Sequence, residues 1–300
     1  MKKLSFLSLI AFSLSAIAAP IETQIHDILE PAKGEDEYII LATDGNVYDI
    51  DANDTELVDM AYDALESKSI ITIDLNNLSI VKGIMDKKKG IKDIQFISKE
   101  IPEFAPLTLD APATVRDPLH NFTVSELTSM SDANLYFSRM KTQTKWRSQC
   151  YNRAHVWSYE LNTDYRINSG KMWIFFSAKY IKDYDYKWWF HVAPYVEVAS
   201  EVEPVVLDRE FSRRPQRLTE WKNVYMKNNA RCLETQNYTT YEDNKWNEWC
   251  FLIKSSMYYW QPYNLENLDK ERTVKRGFVI SELKRAYSNA MKTRARRDLD

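Results

Sequence analysis

The pattern of apolar and polar residues between positions 37 and 98 predicts a small unit of strands packed on one helix. Apolar runs at 38–42 and 47–50 lie on either side of Asp44-Gly45, a turn signal typical of a β-hairpin. Asp54 or Thr55 can cap a helix that runs to about Ser67, where apolar side chains recur at helical spacing. Three further strands are predicted at 70–75, 78–84 and 91–97.

A proline-rich stretch at 99–118 predicts a linker between two domains. It contains four prolines and little periodicity, which is typical of an extended connection. All nine tryptophans follow it, so the second half has the aromatic material for a large core. The predicted division is therefore a domain at 19–98, the linker at 99–118 and a second domain at 119–300.

Helical and strand-like patterns alternate in blocks in the second domain. Short helices are predicted at 124–130 and 132–140, and a longer helix begins close to Cys150 and runs to about residue 161. Strands are predicted at 171–181, 188–198 and 203–207, with a hairpin at 182–186 and a helix capped by Thr219 running to about 227. This order predicts an α+β domain around a central antiparallel sheet.

Residues 1–18 have the three parts of a cleaved secretory signal. Lys2 and Lys3 precede an apolar run, and small residues precede the predicted cleavage after Ala18. We therefore expect a secreted or periplasmic protein, and no later apolar run is long enough to predict a membrane partner.

Removing both lysines changes the formal charge from −3 to −5, which does not favour a nucleic-acid partner. The basic residues from Lys284 onward are interpreted as the solvated face of a terminal helix.

Three cysteines in an exported chain leave at least one without an intramolecular partner. Cys232 and Cys250 would close a short loop, so they are predicted to form the disulfide, and Cys150 is then the free thiol. A buried inert thiol and an intermolecular bridge remain the alternatives for Cys150.

Cys150 at the start of a helix has the setting of a thiolate nucleophile, because the helix dipole and the unpaired backbone N–H groups favour a negative charge there. His191, in a predicted strand, is the candidate base; His155 lies about 140° around the helix from Cys150 and cannot readily face the thiol. Asp208, at the end of the next predicted strand, is the candidate group that orients His191. The structural alternatives are a histidine among core aromatics and an aspartate that ends a strand.

The same region offers candidate substrate-binding residues. The Gln149 or Gln143 amide could donate to an oxyanion. Four aromatic residues could wall a dry acyl site, although aromatic stripes more often form core: Trp146, Trp188, Trp189 and Tyr195. The chain has no G-x-S-x-G, Walker, H-E-x-x-H or C-x-x-C motif, so the sequence favours neither serine, nucleotide nor zinc chemistry.

Several short motifs in order across about 146–225 resemble the protein-glutaminase family of secreted bacterial enzymes. Cys150-Tyr151 with Ala154-His155 is similar to the family's nucleophile helix, and His191-Val192-Ala193 is similar to its histidine strand. Asp208, with Phe211-Ser212, Pro215 and residues 219–223 after it, resembles the aspartate loop and the helix that follows.

This resemblance implies a transglutaminase-like or papain-like cysteine-hydrolase fold. It makes Cys150 the nucleophile, His191 the base and Asp208 its orienting acid, in an enzyme that converts glutamine in proteins or peptides to glutamate and releases ammonia. It also implies an N-terminal pro-region that covers the active site, a role the first domain would fill. No metal or organic cofactor is required.

Three other functions remain open at this stage. The same triad can serve a transglutaminase-like enzyme or a papain-like cysteine protease or acyltransferase, because these reactions share an acyl-enzyme. A secreted binding protein with a degenerate triad is the non-catalytic alternative.

Overall fold

The computed structural model describes residues 21–31, 34–75, 89–98, 122–145, 148–227, 230–267 and 276–295. The predicted signal at 1–18, the predicted strand at 78–84 and the predicted linker at 99–118 lie outside the described residues.

The first part of the chain forms a sheet with one helix on it. In the described residues six strands run in the order β1-β5-β6-β4-β3-β2. Their bounds are β1 (Ile21–Thr23), β2 (Ile25–Leu29), β3 (Glu37–Ala42), β4 (Val47–Asp51), β5 (Ile70–Leu75) and β6 (Lys89–Ser98). Helix α1 (Thr55–Glu66) starts where Asp54 accepts a hydrogen bond from the Leu57 N–H. The predicted hairpin, the helix and the strands at 70–75 and 91–97 are confirmed.

Strand β3 is buried on both faces, which explains its uninterrupted apolar sequence. Ile40 and Ala42 join the core under α1. Ile39 and Leu41 point the opposite way and join the core of the second half of the chain. The first sheet therefore uses one face for its own core and the other face for a contact with the second unit.

The second part of the chain is built around a sheet of mainly antiparallel strands. Its order in the described residues is β11-β10-β9-β8-β13-β12, with β7 paired to β9. The strands are β7 (Glu126–Leu127), β8 (Gly170–Phe176), β9 (Phe190–Val198), β10 (Val205–Val206), β11 (Gln216–Arg217), β12 (Leu233–Thr235) and β13 (Cys250–Ser255). The helices are α2 (Met130–Arg139), α3 (Cys150–Tyr165), α4 (Ala178–Tyr184), α5 (Leu218–Tyr225), α6 (Tyr238–Asn244) and α7 (Arg276–Ala290). The predicted mixed fold with a central antiparallel sheet is confirmed at this level.

Several local predictions in this half are wrong. Residues 124–130 contain β7 rather than a helix, because Glu126 and Leu127 pair in parallel with β9. The strand predicted at 171–181 ends at Phe176, and α4 replaces both its second part and most of the hairpin predicted at 182–186. Helix α5 begins at Leu218 without a Thr219 cap; the Thr219 N–H and hydroxyl both donate to Glu203 instead.

Helix α7 packs against α3, and buried ionisable groups of α3, α7 and strand β8 meet there. The Lys171 Nζ lies 2.7 Å from His155 Nδ1, and His155 Nε2 lies 3.9 Å from the Glu282 carboxylate. The Tyr287 hydroxyl donates to Glu160 on α3. Lys284 and Arg285 lie on the exposed side of α7, so the interpretation as a solvated helical face holds for these two residues.

The predicted disulfide between Cys232 and Cys250 is present, and Cys150 is free. The bridge fastens the stretch before β12 to the start of β13, next to the parallel pairing of these two strands. Among the described residues, none of the helices has the length and apolar character to cross a membrane.

Candidate active site

Cys150 is the first residue of α3 and is 9% exposed. The preceding residue, Gln149, has extended backbone angles and does not cap the helix with its side chain, so the first-turn N–H groups keep their capacity to bind an anion. The Gln149 Oε1 accepts a hydrogen bond from the Asn152 amide at 2.8 Å. That bond fixes which end of the Gln149 amide can donate.

His191 lies between Cys150 and Asp208. The His191 Nε2 is 2.7 Å from the Asp208 Oδ2, and both side chains are 2% exposed. The other ring nitrogen is left for the Cys150 thiol, with which the His191 side chain also hydrogen-bonds. The three predicted residues therefore meet in one buried series of thiol, imidazole and carboxylate.

The charges of this series stabilise each other. Burial alone lowers the pKa of His191, but the Asp208 charge and the hydrogen bonds to Asp208 and Cys150 raise it to about 9. Burial raises the pKa of Asp208, but the His191 charge and three hydrogen bonds hold it below the usual aspartate value. At neutral pH His191 is therefore an imidazolium beside a carboxylate, a state that favours a neighbouring thiolate.

Aromatic rings enclose His191 on several sides. Trp188 stacks on it with ring centroids 5.6 Å apart and planes at 19°, and Phe211 meets it edge-on at 5.1 Å. Rings around the imidazole restrict its rotation and exclude water, which strengthens the charge interactions.

The other predicted substrate-binding residues lie in different settings. Trp189 faces the first unit: its ring stacks on His26 at 4.3 Å and its Nε1 donates to the Ala42 carbonyl. Tyr195 packs so closely over Gly170 that a β-carbon there would lie 2.3 Å from the tyrosine ring. Trp146 lies outside the described residues. Of the three aromatic candidates that the structure describes, Trp188 is the one placed against His191.

The hairpin turn of the first unit docks directly beside His191. The Val47 N–H donates to the Lys187 carbonyl at 2.5 Å, and the Trp189 N–H donates to the Gly45 carbonyl at 3.3 Å. Asn46 and Trp188 form an isolated antiparallel bridge. Residues 45–47 thus pair like an added strand with the segment that leads into β9.

Two residues that bind Asp208 were not predicted from the sequence. The Trp221 Nε1 and the Tyr225 hydroxyl both donate to its Oδ2, at 2.9 Å and 2.6 Å. Their separation of four residues places them on one face of α5, and this spacing was the available signal.

The fold and this constellation have the parts of a thiol hydrolase: a cysteine at a helix start, a histidine on an adjacent strand and a buried carboxylate. A family model described as glutaminase matches residues 128–225, the segment that contains all three. The match agrees with the resemblance found in the sequence, and it covers about a third of the chain.

The solved structures that match this chain have low sequence identity to it. A crystal structure of pro-protein-glutaminase is 14% identical with a TM-score of 0.48, covering 93% of this chain and 96% of that one. The NMR structure of protein-glutaminase from Chryseobacterium proteolyticum is 18% identical with a TM-score of 0.34, covering 55% and 90%. A crystal structure of protein-glutaminase is 16% identical with a TM-score of 0.33, covering 55% and 88%. A search of curated proteins finds no match.

Proposed function

We propose that this protein is a secreted enzyme that deamidates glutamine side chains in proteins, with Cys150 as nucleophile, His191 as acid and base, and Asp208 as the group that orients His191. One observation carries the proposal: the buried hydrogen-bonded series of these side chains lies within the segment matched to the glutaminase family.

The chemistry follows from the protonation states. The Cys150 thiolate attacks the γ-carboxamide carbon, and the first-turn N–H groups of α3, with the Gln149 amide, stabilise the oxyanion. The His191 imidazolium donates its proton to the leaving nitrogen, so ammonia departs and a thioester remains. Neutral His191 then takes a proton from water, whose oxygen attacks the thioester carbon. The carbon–sulfur bond breaks, so glutamate is released and the Cys150 thiolate is regenerated beside the imidazolium.

We also propose that the first unit is an inhibitory pro-domain. The pairing of residues 45–47 with residues 187–189 places its hairpin turn against the segment next to His191. Charged contacts at the edge of this interface support a docked state: Lys182 lies 2.8 Å from Glu35, and Lys245 pairs with Asp27. A tethered domain competes with substrate at a high effective concentration, so the intact chain should be slow.

The assignment is tested by incubating the purified protein with a glutamine-rich protein and following three products together. Deamidation predicts ammonia release with glutamine converted to glutamate. New N-termini would instead indicate a protease, and incorporation of a primary amine would indicate a transglutaminase. The Cys150→Ala variant is the control. Tight binding of the substrate protein with no product would favour the non-catalytic alternative.

The pro-domain is tested by cleaving the chain within residues 99–118 and measuring ammonia release before and after. Arg116 and Lys99 suit a trypsin-like protease. Cleavage should accelerate release, and the freed first unit should inhibit weakly when added back. Equal rates would leave that unit a structural or substrate-recruiting role.

A further inference from the structure

One carboxylate oxygen at the candidate site accepts three hydrogen bonds. The Asp208 Oδ2 lies 2.7 Å from the His191 Nε2, 2.9 Å from the Trp221 Nε1 and 2.6 Å from the Tyr225 hydroxyl. Asp208, Trp221 and Tyr225 are all at most 2% exposed. We propose that Trp221 and Tyr225 are positioning residues that hold Asp208 ionised and fixed against His191, and so set the lower pH limit of the thiolate and of the reaction. This inference deepens the proposed function and rests on it.

The two added donors differ from His191 in that they keep their protons. An indole N–H donates only, and burial followed by the Asp208 charge raises the pKa of Tyr225 well above its usual value. His191 changes protonation during the cycle. In the step where it is neutral, Asp208 loses the attraction of the imidazolium but retains both α5 hydrogen bonds. Without them, a carboxylate this deeply buried would tend to take up a proton.

The titratable groups near Asp208 come from three elements. His191 faces it from β9, Tyr225 from α5, and Cys150 on α3 acts from beyond His191. The adjacent charged residues make other contacts: Arg209 lies over the Phe137 ring, and Glu210 accepts a hydrogen bond from Thr144. The α5 donors are therefore the groups whose removal acts on Asp208 without changing a neighbouring charge.

Tyr186 provides a matched control for Tyr225. It is 2% exposed, and its ring packs against Phe176 with centroids 4.6 Å apart. Its hydroxyl has no hydrogen-bond partner among the described residues. Tyr186→Phe and Tyr225→Phe thus remove the same buried atom from the same aromatic region, but only Tyr225→Phe removes a bond to Asp208.

The test is a pH titration of the Cys150 thiolate in the full chain, read from the ultraviolet absorbance of each variant minus that of its Cys150→Ala counterpart. Losing one charge-assisted hydrogen bond changes the ionisation equilibrium of Asp208 by about tenfold or more. Because the thiolate depends on the imidazolium that Asp208 supports, the lower pH midpoint of the thiolate titration should rise by about one unit in Tyr225→Phe. It should not move in Tyr186→Phe. With the linker cut and both pieces present, Tyr225→Phe should also lower kcat about tenfold while KM changes by less than about twofold, since Tyr225 acts through Asp208.

A second comparison separates this effect from packing. In an Asp208→Asn background, Tyr225→Phe should no longer shift the thiolate midpoint. Trp221→Phe should likewise shift the midpoint when Asp208 is present and leave it unchanged in the Asp208→Asn background. Equal midpoints for Tyr225→Phe and Tyr186→Phe, or an undiminished shift in the Asp208→Asn background, would overturn the inference. The titration of the Cys150 thiolate requires no turnover. Absence of ammonia release from the wild type would therefore count against the proposed function alone.

Discussion

Gly45 offers a way to loosen the first unit without touching the candidate active site. Its φ of +87° lies in the left-handed region, and its carbonyl accepts the Trp189 N–H. A β-carbon at this position would lie 3.2 Å from the Phe190 ring. Gly45→Ala therefore adds backbone strain and a tight contact where the hairpin meets β9.

The size of the effect follows from the contact with Phe190. The hairpin turn is closed by its own hydrogen bonds between Ala42 and residues 45 and 46, so the backbone strain is present whether or not the first unit is docked. The added methyl meets the Phe190 ring only in the docked state, where such overpacking costs about 1–2 kcal/mol. A difference of that size raises the undocked population about 5- to 30-fold. Ammonia release by the uncut chain should rise by a similar factor, while the rate after linker cleavage should match the wild type.

Gly34→Ala is the control for backbone strain alone. Gly34 also has a positive φ, +95°, but no atom lies within 4 Å of a β-carbon built there. Its uncut chain should release ammonia at the wild-type rate. Equal rates for the two variants would refute the reasoning that links the turn at Gly45 to inhibition.

Three further predictions concern the cysteines and the charges at the site. Cys150→Ala and His191→Ala should each abolish ammonia release in a folded protein, whereas Asp208→Ala should leave a measurable rate, since Asp208 orients rather than reacts; wild-type turnover by folded Cys150→Ala would end the mechanism. The ratio kcat/KM should fall as pH rises through about 9, where His191 loses its proton, and this limb should move to lower pH in Asp208→Asn because the charge that raises the His191 pKa is gone. Replacing Cys232 and Cys250 with serine should lower the free energy of unfolding by about 3 kcal/mol in urea titrations without lowering kcat; an unchanged midpoint would contradict a stabilising role for the bridge.

The residues of the candidate site could be found from the sequence because each stands next to a local signal. Cys150 starts an apolar helical stripe, His191 lies in a β-branched and aromatic run, and Asp208 follows the short apolar run before it. The partners of Asp208 are missed because the four-residue spacing of Trp221 and Tyr225 shows only that they share a face of α5, whereas the residue they meet depends on how α5 packs onto the sheet.

The errors in secondary structure have related causes. The sequence predicts a strand where α4 lies because a buried helix and a buried strand both give continuous apolar runs. The side chain of Ser177, which accepts the Tyr180 N–H, was the start signal that the aromatic run obscured. Strand β7 consists of two residues that pair with β9, so its formation depends on a distant segment rather than on its own sequence.

The position of α7 has a practical consequence for producing and modifying the protein. Because α7 packs against α3, a truncation before Arg276 would expose the part of α3 that α7 covers and leave Glu160 without its Tyr287 partner. Such a shortened chain should lose solubility and thiol reactivity together. Among the described residues that follow α7, Met291 is the last buried one, so an affinity tag or a surface anchor is better attached after Ala295.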